Sequence, residues 1–321
     1  MKEISKLLGY RDSIRVVDAT LRDGGLVNDF YFTDEFVKSL YQANIDAGVD
    51  YMEMGYRASK KVFDESKFGK WKFCNDEHIR EIVGENDTNL KLAIMADIGR
   101  HDKDDFDEKV NSPVDLVRVA AYIHQMPEAI DMVCDAAKKG YETSCNIMAI
   151  SNAQEKDIKV ALDMLGQTPV DVIYIVDSFG SLYPEQMARI ADLYLEFAAK
   201  YNKKIGIHAH NNQQLAFANT IEACGDGVDW LDATYLSMGR GAGNCAMELL
   251  LGFLKNPKYN VYPVFKFIEE HMLKLKEEGI VWGYDLQYLM TGLLNQHPRT
   301  AIQFTKDKRN DYAEFYKEIL N

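Results

Sequence analysis

The feature that most constrains this fold is an alternation. Short runs rich in Val, Ile and Tyr occur at 14–20, 50–54, 91–96, 116–120, 143–149, 172–176, 204–210 and 230–234. Between them lie amphipathic stretches, among them 33–47, 126–138, 153–165, 184–200 and 213–223, several opening on Ser, Thr, Asn or Pro and closing near Gly. A strand that must pair in parallel with the next strand needs a crossover, and a helix is the usual one. Eight strand-then-helix repeats, the last helix starting near Asn244, are the number that closes a (β/α)₈ or TIM barrel, whereas a doubly wound open sheet is the alternative with the same local pattern. Gly48, Gly140 and Gly225 stand where helix C-caps are expected. The reading is therefore one barrel over 10–258, with a charged amphipathic segment over 259–321 as a helical extension packed on it.

A chain of 321 residues with 47% hydrophobic and 27% charged residues has the material for one large core. Its formal net charge of -13 argues against nucleic acid or an anionic membrane as partner, since both are held through Lys and Arg. Five scattered cysteines, an odd number and never in a C-x-x-C pair, predict neither a disulfide framework nor a zinc knuckle. A reducing compartment, the cytoplasm, is the simplest reading. No export signal is read in the first residues, and no apolar run is long enough to span a bilayer.

In a barrel of this kind chemistry gathers at the carboxyl ends of the strands. There the sequence places Arg22 and Asp23 at the end of the first strand, Glu53 at the end of the second, Asp177 and Ser178 at the end of the sixth, His208 and His210 at the end of the seventh, and the loop MGRGAGN after the eighth. An H-x-H pair on a strand projects both imidazoles to one side, because side chains alternate with period two. Two imidazoles with the Asp23 carboxylate make a donor set with open positions, suited to a catalytic divalent ion.

The segments DATLRDGG (18–25), VDYMEMG (49–55), VDSFGSLYPEQ (176–186), HAHNNQQLAFAN (208–219) and MGRGAGNCAMELLL (238–251) resemble, in order, the motifs of the DRE-TIM metallolyase superfamily, the HMGL-like enzymes. The strongest resemblance is to its 4-hydroxy-2-oxovalerate aldolase-like branch. It implies that Asp23, His208 and His210 hold Mn²⁺ or Mg²⁺, with Co²⁺ or Zn²⁺ as alternatives, and that Asn244 is a further ligand or lies just behind the ligands. Arg22 would then face the substrate oxygen that becomes negative, Glu53 would orient Arg22 or a metal-bound water, and Ser178 would contact the carboxylate of a 2-oxo acid. The implied activity is metal-dependent aldol cleavage or formation through a pyruvate-type enolate, with a 2-oxo acid and an aldehyde as substrates. A homo-oligomer, or a complex with an aldehyde-handling dehydrogenase, is what the branch suggests. The alternative activity is a Claisen-type condensation of an acyl-CoA with a 2-oxo acid, and a catalytically idle barrel kept as a binding partner is a third reading.

One departure bears on the chemistry. Aldolases of this branch carry a His soon after R-D-G, where this chain has Gly25, Leu26 and Val27. His297, in the segment NQHP, or Tyr288 is the candidate acid/base in its place, with a helix-capping or packing role for His297 as the alternative. Arg57 is read either as an anchor for a distal anion or as one half of a salt bridge. The MGRGAG loop is read either as a phosphate cradle or as a wall of the metal pocket, and Tyr183, Tyr235 and the aromatic run 63–73 as pocket lining or as packing.

Overall fold

The apolar runs pair as the alternation requires. In the computed structural model, which describes residues 10–102 and 105–320, eight parallel strands close in sequence order: β1 (Arg15–Asp18), β2 (Tyr51–Tyr56), β3 (Lys91–Asp97), β4 (Leu116–Ala121), β5 (Glu142–Ile147), β6 (Val172–Asp177), β7 (Lys204–Ala209) and β8 (Trp230–Ala233). Closure is direct, with Val16 of β1 opposite Leu231 of β8. The fold is thus the expected TIM barrel. The expectation that no export signal opens the chain falls on residues 1–9, which lie outside the described residues. No helix among the described residues is long and apolar enough to cross a membrane.

The helices are α1 (Thr20–Gly24), α2 (Asp34–Ala47), α3 (Asp76–Val83), α4 (Met126–Lys138), α5 (Glu155–Gly166), α6 (Pro184–Tyr201), α7 (Ala216–Asp226), α8 (Met247–Phe253), α9 (Tyr262–Phe267), α10 (Leu273–Glu277), α11 (Leu286–Leu293), α12 (Arg299–Lys306) and α13 (Tyr312–Ile319). Thr33 caps α2 by accepting from the Phe36 amide at 3.2 Å. Gly48 closes α2 in the left-handed region at φ 72°, where a Cβ would stand 2.1 Å from the Lys258 carbonyl oxygen. Two expectations are corrected here. Gly225 lies inside α7, and the cap is Gly227 two residues on, at φ 128°. The strand–helix repeat also fails once: among the described residues the β3–β4 connection holds only a 3₁₀ turn, Lys109–Asn111. Its sequence is dominated by charge, with too few apolar residues for a helical stripe to bury against the sheet.

Inside the barrel, side chains at alternate positions stack in layers. Val17, Tyr51, Ala93, Leu116, Val172 and Trp230 form an apolar floor, with the Tyr51 and Trp230 rings 4.7 Å apart. One layer nearer the carboxyl ends come Glu53, Arg118, Tyr174 and Asp232, and the Arg118 guanidinium lies 4.5 Å from the centre of the Tyr174 ring. Gly206, paired with Tyr174 across β6 and β7, leaves the room that this ring fills.

Beyond α8 the chain returns to the barrel. Phe267 of α9 joins the main core, its ring 5.2 Å from that of Phe36. Helices α11 to α13 gather a smaller cluster of Ala301, Phe304, Phe315 and Ile319. The loop between α11 and α12 lies against the carboxyl-terminal mouth, where Asn295 Nδ2 donates to the Ser151 carbonyl at 3.0 Å. This puts His297 over the strand ends.

Gly206→Ala would place a methyl 2.5 Å from Tyr174 Cε1 and Cζ, so the ring must leave Arg118 or the strands must part. The expected cost is about 1–3 kcal/mol in denaturant unfolding. An unchanged midpoint would show that the ring is not needed there.

Candidate functional site

Asp18, the last residue of β1, dictates the shape of the turn beyond it. Its Oδ1 accepts from the Thr20 amide at 2.9 Å and from Thr20 Oγ1 at 2.5 Å, and its Oδ2 accepts from Asn44 Nδ2 at 2.8 Å. Burial, offset in part by these donors, raises its pKa to about 6. The anchored turn becomes α1, every residue of which is buried. Arg22 and Asp23 are therefore not at the strand end, as the sequence reading has it, but one helical turn above it, over the barrel axis.

His208 is the penultimate residue of β7 and faces inward; His210 lies just beyond the strand, bridged to Asn244 in the loop after β8. Their rings are 5.1 Å apart and nearly perpendicular. Asp23 Oδ2 is 3.3 Å from His208 Nε2 and 3.8 Å from His210 Nε2, and one ligand atom from each of the three residues lies within 4.8 Å of the others.

The donor set fits a divalent ion on several independent grounds. His208 Nδ1 is 2.9 Å from Asp232 Oδ2, which fixes the tautomer, while Nε2 is buried without an aligned hydrogen-bond partner. Asn244 Oδ1 is likewise buried and unpartnered, beside Asp23. A Cβ on Gly239 would stand 2.9 Å from Asp23 Oδ1 and 2.2 Å from Asn244 Nδ2, so the glycine keeps this wall of the cradle open. Burial would push Asp23 up, but Arg22, with His210 and His208, holds it well below the usual carboxylate range. Burial pushes His210 well down; Asp23 opposes this, but Arg240 and His208 add to it, and a neutral ring is the form that binds metal. For His208, burial is outweighed by Asp23 and Asp232, which raise it, so a metal there competes with a proton.

These groups belong to a closed ring of buried charges. Arg22 Nε donates to Glu53 Oε2 at 2.8 Å and Nη1 to Asp23 Oδ2 at 2.5 Å. Arg118 Nη1 donates to the same Glu53 oxygen at 3.0 Å, and Nη2 to Asp232 Oδ2 at 2.6 Å. Asp232 leads to His208, and His208 back to Asp23. Two guanidiniums face three carboxylates, an excess of one negative charge that a cation at the triad would offset.

A cavity of about 500 Å³, its open mouth included, lies over the ring. Of the residues expected at the site, Arg22, Asp23, Ser178, His208, His210 and His297 reach its wall; Glu53 stands behind Arg22, and Asn244 behind Asp23. Arg22 Nη2 makes no hydrogen bond among the described residues. Ser178 Oγ accepts from the Ala149 amide at 2.8 Å and so keeps its own proton free to donate. Tyr288 is not on the wall.

Leu26 lines the cavity near the position where the resemblance leads one to expect a His. Arg57 is ion-paired with Asp76 while its guanidinium covers the Phe106 ring, so it has the salt-bridge role, buried rather than superficial. The loop after β8 shapes the metal pocket, since the Arg240 amide donates to Asp23 Oδ1 at 2.9 Å. Phe63 and Phe68, with Phe30 and Tyr56, enclose the Lys72 ammonium; Tyr235 is buried and Tyr183 exposed. Arg118, Asp232, Arg240, Tyr56, Tyr122 and Asn146 do not stand out in the sequence reading. For Arg118 and Asp232 a signal exists, a charge in mid-strand in LVRVA and WLDAT.

The sequence profile of the HMGL-like family matches residues 13–271. A 4-hydroxy-2-oxovalerate aldolase from Bacillus cereus is 25% identical over 315 residues, 95% of this chain and 90% of its own length. An oxaloacetate decarboxylase from Mycobacterium tuberculosis is 28% identical over 250 residues, 77% of this chain and 71% of its own. Among solved structures, the N-terminal domain of a protein from Bacteroides vulgatus described as an aldolase superposes with a TM-score of 0.75 at 27% identity, covering 91% of this chain and 96% of that domain.

Asp232→Asn keeps an acceptor for His208 Nδ1 but removes the charge that makes the ring a stronger donor. Mn²⁺ affinity should fall about 10- to 100-fold in a competition titration. An unchanged affinity would detach Asp232 from the metal site.

Proposed function

The chain belongs to the HMGL-like family, and on that premise we propose that it is a divalent-metal-dependent carbon–carbon lyase of 2-oxo acids. The observation that carries this reading is the free Nη2 of a rigidly held Arg22 beside the Asp23–His208–His210 triad. Breaking a carbon–carbon bond next to a ketone leaves an electron pair that needs a sink. A Mn²⁺ or Mg²⁺ ion held by Asp23, His208 and His210, with Asn244 Oδ1 alongside, would act as a Lewis acid toward the ketone and carboxylate oxygens.

The side chains do the rest. Glu53 and Asp23 clamp Arg22 through Nε and Nη1, so Nη2 is aimed without further loss of rotamer freedom. A hydrogen bond from it to the ketone oxygen strengthens as that oxygen becomes an enolate oxygen, and the buried setting magnifies the effect. Ser178 Oγ–H donates to the carboxylate. In aldol cleavage His297 is the side chain on this wall that would have to take up the hydroxyl proton. Its pKa is lowered to about 4 by burial, then by Arg240, Arg299 and Arg100, so at neutral pH it is uncharged and a weak base.

That weakness, with Leu26 on the wall, favours a second reading beside aldol cleavage: β-decarboxylation of a 2-oxo diacid. There the C3–C4 pair moves into the C2 ketone, CO₂ departs, and C3 is protonated afterwards, so no hydroxyl has to be deprotonated. The Mycobacterium tuberculosis relative is named for such a reaction.

In D₂O with Mn²⁺ and pyruvate, the methyl NMR signal should exchange away, and chelation of the metal should stop it. Arg22→Ala should slow the exchange about 100-fold or more. Wild-type exchange in that variant would remove Arg22 from enolate stabilisation, and no exchange in the wild type would remove the lyase reading.

A further inference from the structure

We propose that Arg240 and His297 form a clamp for a second carboxylate, so that the substrate of this site is a 2-oxo acid with two anionic ends. The inference rests on the 2-oxo-acid reading above and adds which side chains receive the far end.

Arg240 comes from the loop after β8 and lays its guanidinium along the cavity wall. Nη2 donates to the Ser178 carbonyl at 2.8 Å and lies 3.4 Å from His210 Nε2; Nε is buried without a partner; Nη1 meets only His297 Nε2, at 3.3 Å. No carboxylate pairs with it among the described residues. Other arginines on or behind this wall are paired: Arg22 with Asp23 and Glu53, and Arg118 with Glu53 and Asp232.

The contact with His297 is mismatched. The Arg299 amide, shared with the His297 carbonyl at 2.8 Å, points at His297 Nδ1 at 3.1 Å, so Nδ1 presents its lone pair. A neutral ring has a single lone pair and both of its nitrogens face N–H groups, so one of the two contacts is donor to donor; with the proton on Nε2 it is the contact with Arg240 Nη1. Two donors look at each other with no acceptor between them. A carboxylate seated at the mouth would accept from both, and a guanidinium beside a second N–H is a strong site for one.

The charge on the wall agrees. Among the described side chains that line the cavity, Arg22 and Arg240 are cations and Asp23 is the one carboxylate. With Glu53, Asp232 and Arg118 just behind the wall, three guanidiniums face three carboxylates; a divalent ion at the triad then leaves two positive charges, which a substrate with two negative ends matches better than one with a single end. The remaining wall combines apolar Leu26, Met95, Ala120, Met148 and Val176 with uncharged polar groups such as Tyr122 and Asn146, and offers an anion no further cation.

The test compares ligands that differ only at the far end: 2-oxoglutarate with 2-oxopentanoate, and oxaloacetate with 2-oxobutyrate. Affinities for the Mn²⁺-loaded protein would be read by calorimetric competition at fixed ionic strength. At least one diacid should bind about tenfold or more tightly than its methyl-ended counterpart. In Arg240→Gln that ratio should fall toward one, and Arg240→Lys should keep part of it, with circular dichroism checking that both variants fold. A ratio near one for both pairs in the wild type overturns the clamp. Equal weakening of diacid and monoacid by Arg240→Gln overturns it too, because Arg240 would then hold the first carboxylate. Failure of diacids and monoacids alike to bind in a Mn²⁺-dependent way would instead strike the 2-oxo-acid reading on which the clamp rests.

Discussion

The rest of the structure depends on the ring of charges buried across the barrel: Arg22, Glu53, Arg118, Asp232, His208 and Asp23. Stripping water from so many charged groups is unfavourable, and their mutual attraction offsets it only because each carboxylate meets a guanidinium or an imidazole at hydrogen-bonding distance. Such a ring is poor as a source of stability, since a well-packed apolar layer would do as well. Its physical value is that no member can move alone. Displacing Arg118 takes one partner from each of Glu53 and Asp232 in a dry interior, leaving Arg22 and His208 alone to hold them, a penalty that keeps the side chains in one arrangement.

That constraint explains how the layers work together. The apolar floor of Tyr51, Leu116, Val172 and Trp230 closes the lower barrel and keeps water from the ring. The ring passes its rigidity upward at two points, through Glu53 to Arg22 and through Asp232 to His208. Above it, Asp18 and Asn44 fix the turn that carries Arg22 and Asp23. The proposed electron sink, Arg22, and the candidate metal ligands are thus set from below by strands and from the side by one anchored turn. Preorganisation of this kind is what electrostatic catalysis requires, because dipoles already in place need no rearrangement as charge develops.

Much of this is legible in the sequence. The eight apolar runs mark the strands within a few residues, and period-two alternation rightly puts His208 and His210 on one side. What the sequence does not disclose is contact across the barrel. Arg118 and Asp232 are 114 positions apart and meet only because the sheet closes. Arg240 reads as part of a glycine-rich loop until its side chain is seen against His297, a residue from another part of the chain. A helix between β3 and β4 is implied by the regular alternation on both sides, although the charged segment has no apolar stripe to form one. Arg22 and Asp23 read as one turn too low for a different reason: helix α1 is held by Asp18 contacts that a strand pattern does not encode.

The two halves of the site therefore have different physical origins. The half proposed to face an enolate is built from strand ends and from α1, all tied to the ring, and its geometry is as stiff as the barrel. The half that faces the leaving or incoming group is built from Leu26, from the Arg240 loop and from His297, which arrives on the α11–α12 connection over the mouth. Their side chains make no hydrogen bond to the ring and can be exchanged without removing one of its pairs. A barrel so divided can keep one way of stabilising an enolate while the group at the other end of the substrate changes. In this chain the exchangeable half presents an apolar side chain and two unmatched donors, which excludes a strong base there and favours an anion.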